Sequence, residues 1–222
     1  MKAIADYSRT QAALFDMDGT LVDHFDTIRR CYQFAAESMG KTPPDYDTVK
    51  RAVGGSMPVT IRSFFEESEV DEAMRLWNQR FDEIHLEGVT LLKGARELLD
   101  AIAARGIRAA VFTNKHGRHS RSIIESLGLS QRFDLVLGAG DTPYRKPQRE
   151  LSEIVLERLG SSASETIMIG DSPFDIEAAR CVGMTSFCVP TGSHSAEELE
   201  EAGADRIFEN LQAIADGIFA DV

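Results

Sequence analysis

Short apolar runs alternate with amphipathic segments along most of this chain, and that alternation sharply limits the folds open to it. Residues 107–113 (IRAAVFT), 134–139 (DLVLGA), 166–171 (TIMIGD) and 185–190 (TSFCVP) read as buried strands, and residues 12–17 (AALFDM) form an earlier run of the same kind. Between them GARELLDAIAARG, SRSIIESLG, ELSEIVLERLG and FDIEAARCVG carry helical periodicity, several closing on the glycine that commonly follows a helix. Strands separated by helices of this length require parallel βαβ units. The predicted class is therefore α/β, with a doubly wound, Rossmann-like parallel sheet.

Residues 22–88 break the pattern. TIRRCYQFAAESMG and DEAMRLWNQRFDEIHLEG have helical period, the breakers KTPPD and GGSMP divide them, and no strand is expected there. An all-helical insertion at 22–88 in a core made of 1–21 and 89–222 follows, and 222 residues suffice for both.

The first strand ends in carboxylates. Residues i and i+2 of a strand point to the same side, so Asp16 and Asp18 reach the crevice at the carboxyl end of the sheet, where open α/β folds bind ligands. Gly19 permits a sharp turn or a close backbone approach immediately afterwards. Two carboxylates this close repel unless a proton or cation lies between them, and a hard divalent ion with oxygen ligands, most simply Mg²⁺, resolves the conflict. Two further strands also end in polar residues: Thr113 and Asn114 close AVFTN, and Asp171 closes MIGD, with Asp175 four residues on. Lys146 stands before a proline at the start of a helix. Carboxylates, a hydroxyl and a cation at neighbouring strand ends suit phosphoryl transfer. There the nucleophile must be held in line and charge on the equatorial oxygens neutralised.

FDMDGTLVD, VFTN, RKP and IGDSPFDIEAA, in that order, resemble the motifs of the haloacid dehalogenase superfamily. ARGIRAAVFTNK, FDLVLGAGD, AARCVGM and GSHSAEELEEAGAD extend the likeness toward its phosphoglycolate phosphatase group. The resemblance implies a Mg²⁺-dependent phosphomonoesterase acting on a small phosphorylated metabolite, with phosphoglycolate as the default. It assigns Asp16 as nucleophile and Asp18 as acid/base. Thr113 and Asn114 become phosphate-binding residues, and Lys146 the cation that neutralises phosphate and nucleophile. Asp16, Asp18 (by its carbonyl) and Asp171 become the Mg²⁺ ligands, with Asp175 supporting Lys146 or a metal-bound water. The insertion would be a cap that closes over the site, with Arg51, His24 and Met57 as candidates for substrate contact. Pyrophosphatase, nucleotidase and sugar-phosphate mutase activities occur on the same scaffold, as do non-catalytic binding proteins. The retention of Asp16, Asp18 and Lys146 favours an enzyme.

Several features are expected to be structural. Trp77 and Phe81 lie four residues apart and should pack in the core of the insertion, while His116 and His119 should be surface or hinge residues. The three cysteines, Cys31, Cys181 and Cys188, have neither zinc spacing nor a disulfide framework. A formal charge of −12 without a basic stripe disfavours a nucleic-acid partner. No apolar run nears the ~18 residues of a membrane span, and MKAIADYSRTQ lacks a signal-peptide core, so a cytoplasmic location without membrane contact is expected.

Overall fold

A computed structural model describes residue 7 and residues 9–219, so the outermost parts of the expected core, 1–6, 8 and 220–222, lie outside the described residues. The sheet is built around β1 (Ala12–Phe15), whose four residues are all buried. It pairs in parallel with β4 (Arg108–His116) on one side and β6 (Thr166–Gly170) on the other. With β5 (Leu135–Ala139), β7 (Thr185–Cys188) and β8 (Arg206–Ile207) the six strands run in the order β5-β4-β1-β6-β7-β8. The chain therefore builds outward on one side of β1 and then crosses to the other, as the doubly wound class requires. That switch point opens a crevice at the carboxyl ends of β1, β4 and β6.

Strand alternation gives each face its own core. Ala13, Phe15, Val111 and Ile169 pack with Leu98 and Ile102 of α5 (Ala95–Ala104), Ile123 of α6 (Gly117–Ser126) and Ile214 of α10 (Leu211–Ile218). Ala12, Leu14, Phe112 and Met168 face the other way, onto Leu151 and Val155 of α7 (Arg149–Leu159) and Ala178 and Ala179 of α8 (Pro173–Arg180). Strands covered on both faces need apolar residues at every position, which is why these runs read as continuous rather than alternating.

Between β1 and β4 the chain forms α1 (Phe25–Ser38), α2 (Tyr46–Ala52), α3 (Met57–Ile61) and α4 (Val70–Ile84), which share a separate apolar core that includes Ile28, Tyr32, Ala35, Ile61, Trp77 and Phe81. One expectation fails here. The insertion is not wholly without strand, since β2 (Val22–Asp23) pairs antiparallel with β3 (Thr90–Leu91), tying its two ends together. Two-residue strands are too short to show a period, and the edge strand β8 is unforeseen for the same reason. Among the described residues no helix is long and apolar enough to cross a membrane.

Candidate active site

Backbone pairing carries β1 past its last apolar residue: the Asp16 N–H donates to the Ile169 carbonyl at 2.9 Å, fixing Asp16 at the sheet edge. The chain then turns tightly, with the Leu21 and Val22 amides both donating to the Met17 carbonyl, at 2.9 and 3.0 Å. Gly19 has φ +87°, and a Cβ there would lie 2.6 Å from Asp171 Oδ2 and 2.7 Å from the Gly192 Cα. Close approach of two strand ends, as well as the turn itself, thus demands glycine.

Lys146 is the centre of the charge network. Its side chain is wholly buried, and its Nζ lies 2.9 Å from Asp16 Oδ1 and 2.6 Å from Asp175 Oδ1. Burial works against the ammonium, yet the two carboxylates hold its pKa above the ordinary lysine value. Asn114 positions the segment: Oδ1 accepts from the Lys146 amide at 2.9 Å, and Nδ2 donates to the carbonyls of Lys146 and Gly54, each at 3.2 Å. Its amide is therefore a clamp between the core and the insertion.

Asp171 follows β6 directly and is buried. Oδ1 accepts from Thr20 Oγ1 at 3.0 Å, and Oδ2 from the Ser193 amide at 2.9 Å. Burial pushes its carboxyl up to about 8, with Asp16 and Asp175 adding to the shift. Asp175 is raised as well, by burial, with Lys146 opposing. One oxygen of Asp175 serves Lys146; the other accepts from the Ser172 amide and hydroxyl at 3.1 and 2.7 Å, closing a capping box at the start of α8. Oxygens of Asp16, Asp171 and Asp175 lie within 4.8 Å of one another. Three buried carboxylates against one lysine leave an excess of negative charge, and the donors are all oxygen. This set fits a hard divalent cation.

Asp18, which lines the same crevice as Asp16, meets a residue that sequence reasoning passed over. Lys115 Nζ lies 2.8 and 3.1 Å from its two oxygens and sits 4.6 Å over the Phe81 ring. The pairing of β4 with β5 is irregular between Phe112 and His116, and Thr113, Asn114 and Lys115 all line the crevice there. Thr113 is buried, and its hydroxyl accepts from the Lys115 amide at 3.2 Å.

The remaining candidates are placed less centrally. His24 is buried beside Phe81. Its Nδ1 is 3.8 Å from Asp18, both ring nitrogens lack partners, and burial together with Lys115 and His85 pushes its pKa down to about 2. Arg51 is not among the residues lining the crevice: it grips Glu198 of α9 (Ala196–Glu201) at 2.6 and 2.8 Å and donates to the Ser193 carbonyl at 3.2 Å. Met57, by contrast, lines a cavity of about 390 Å³ between core and insertion, together with Asp16, Asp18, Thr113, Asn114 and Lys115. Trp77, Phe81, His116 and His119 line it too. The first two are therefore both core and wall, and the histidines face the site. His119 Nε2 is 2.6 Å from Asp82 Oδ1 of α4, linking α6 to the insertion.

The family model described as haloacid dehalogenase-like hydrolase matches residues 13–189. A phosphoglycolate phosphatase from Rhodospirillum rubrum is 30% identical over 217 residues, covering 93% of this chain and 90% of that protein. One from Pseudomonas fluorescens is 25% identical over 213 residues, covering 92% and 78%. The structure of a haloacid dehalogenase-like family hydrolase from Streptococcus pneumoniae superposes with a TM-score of 0.85 at 20% identity, covering 92% of this chain and 96% of that one, a likeness of fold.

Proposed function

Because the chain belongs to the haloacid dehalogenase-like hydrolases and is a phosphatase of that family, we propose that it hydrolyses a small phosphomonoester through a phosphoaspartate on Asp16, with Mg²⁺ as cofactor. Residues 22–88 are the cap in this reading, over a core of 1–21 and 89–222; the separate apolar core of the four helices supports the division. The observation that carries the proposal is the buried Lys146 bridging Asp16 and Asp175 beside Asp171, at the carboxyl edge of the sheet.

In the first step a carboxylate oxygen of Asp16 attacks phosphorus, a P–O(Asp16) bond forms, and the bond to the alcohol oxygen breaks. Asp18 gives its proton to the departing alcohol. In the second step Asp18 takes a proton from water as the water oxygen bonds phosphorus and the Asp16 carboxylate is released with inorganic phosphate. Thr113 donates to a phosphoryl oxygen, and Lys146 neutralises charge on the nucleophile and phosphate. Asn114 acts by holding the Lys146 segment in place. The Asp16 and Asp171 carboxylates and the Asp18 carbonyl would hold Mg²⁺, which when bound supplies neutralisation and orientation of the phosphoryl oxygens.

Phosphoglycolate is the first substrate to try, since relatives named phosphoglycolate phosphatase span most of this chain. Three cysteines without a disulfide support a cytoplasmic location. The test is phosphate release from a panel of phosphorylated metabolites in Mg²⁺ and in EDTA. Mg²⁺-dependent release from one or a few compounds is expected. No release from any compound by folded, metal-supplied protein would refute the proposal.

A further inference from the structure

Most of the charge in the cavity lining is already paired. Asp16 has Lys146 as its partner, and Asp18 has Lys115. Arg145, in the loop between β5 and α7 and one residue before Lys146, also lines the cavity. Among the described residues its guanidinium has no carboxylate partner; its side chain makes one hydrogen bond, to a serine hydroxyl.

The backbone that carries Arg145 is fixed on both sides. Its amide donates to Gln148 Oε1 at 2.9 Å, and its carbonyl accepts from the Gln148 amide at 2.7 Å. The next amide, that of Lys146, donates to Asn114 Oδ1. Just before, the Thr142 hydroxyl accepts from the Tyr144 amide at 3.2 Å. A loop held at these points offers its arginine from one place, so little backbone freedom is lost when a ligand binds.

The side chain reaches across to the insertion, where Nη1 donates to Ser56 Oγ at 3.1 Å. Ser56 stands at the N-cap of α3, where a serine hydroxyl ordinarily accepts from the helix's own amides. Here it makes no such bond, and the residue is buried. Ser56 therefore holds one N–H of the guanidinium and sets its direction without neutralising it. Arginine has five N–H donors in a planar fork. The residue as a whole is exposed, so the remaining donors are open. The result is an oriented, uncompensated positive charge facing the cavity of a chain with net charge −12.

We infer that Arg145, steadied by Ser56, is a specificity-determining residue that binds a carboxylate on the leaving alcohol, so that the preferred substrates are short phosphorylated hydroxy acids. The inference rests on the phosphomonoesterase reading above. A carboxylate matches the fork with two parallel N–H···O bonds, and its single negative charge equals the one charge left unpaired. A second phosphate would bring roughly two negative charges into a lining that already holds Asp16 and Asp18. An uncharged alcohol would leave the guanidinium without a counter-charge.

Phosphoglycolate and 3-phosphoglycerate, each compared with its own carboxamide, test it, because the amide keeps the shape of the acid and removes the charge. In one or both pairs kcat/KM should be at least about tenfold higher for the acid, the size expected of hydrogen bonds to a charged group. Arg145→Met should bring that ratio to within about threefold of unity. Arg145→Lys, which keeps the charge but not the fork, should give an intermediate ratio. A clamp between core and insertion with no part in recognition would slow acid and amide alike. A ratio near unity in both pairs, or one that Arg145→Met leaves intact, therefore overturns the inference. Release from other phosphomonoesters but from neither pair overturns it while leaving the parent reading intact. No release from any ester overturns both.

Discussion

Removing Mg²⁺ should destabilise the protein by an amount that depends on pH in a way the buried carboxylates fix. Asp171 has its carboxyl raised from an ordinary 3.8 to about 8 by burial and by Asp16 and Asp175. A group with a raised folded-state pKa contributes stability that is full below its unfolded pKa and is lost as pH rises through the folded one. Metal-free protein should therefore lose stability from about pH 4 to pH 8, at up to about 1.4 kcal/mol per pH unit. Metal binding needs the ionised form, which is roughly one molecule in a hundred at pH 6 and about half at pH 8. That ~50-fold difference in available site corresponds to about 2 kcal/mol. Urea unfolding in excess Mg²⁺ and in EDTA, at pH 6, 7 and 8, measures it. The gap between the two conditions should be about 2 kcal/mol wider at pH 8 than at pH 6, or about 4–8 °C in Tm for a chain of this size. Comparing the two conditions at one pH cancels groups that do not touch the cluster, such as His24, whose lowered pKa changes stability in the opposite sense. A gap of equal width at all three pH values, or no gap, refutes the reasoning. Asp171→Asn should abolish the pH dependence of the gap.

Other perturbations follow from the same geometry. Lys146→Met leaves Asp16 and Asp175 buried without their cation, so it should abolish phosphate release and destabilise the fold by about 3–5 kcal/mol in urea unfolding. Gly192→Ala would put a Cβ 1.8 Å from Asp171 Oδ2, so displacement of that carboxylate should raise the Mg²⁺ concentration needed for half-maximal activity at least about tenfold. Arg51→Ala removes an exposed grip on Glu198 between insertion and core; it should leave Tm nearly unchanged and raise KM more than it lowers kcat, with the effect fading at high salt.

Much of this was legible in the sequence where a local rule applied. Asp16, Thr113 and Asp171 each end an apolar run, and parallel pairing of β1 with β4 and β6 brings such ends together without further information. The fold class followed from the alternation of runs with amphipathic segments. What escaped depended on tertiary neighbours. The Val22–Leu91 pairing joins residues too few in number to show a period and too distant in sequence to suggest a hairpin. The spacing of Trp77 and Phe81 placed them on one helix face, but not opposite a cavity rather than a fully packed neighbour. Arg51 is a candidate for substrate contact by its place in the insertion; its grip on Glu198 depends on α9, far along the chain. Lys115 escaped because β4 pairs irregularly between Phe112 and His116, where a simple two-residue period does not apply.

Covalent capture of phosphate on Asp16 tests the account most directly. Asp18→Asn protein should be mixed with Mg²⁺ and 4-nitrophenyl phosphate, whose leaving group needs little acid help, then quenched in acid and digested for mass spectrometry. The account predicts one phosphoryl group on the peptide containing Asp16, because the variant forms the acyl phosphate and cannot activate water to clear it. Phosphate on another residue, or an Asp16→Asn enzyme that turns over at the wild-type rate, would contradict it.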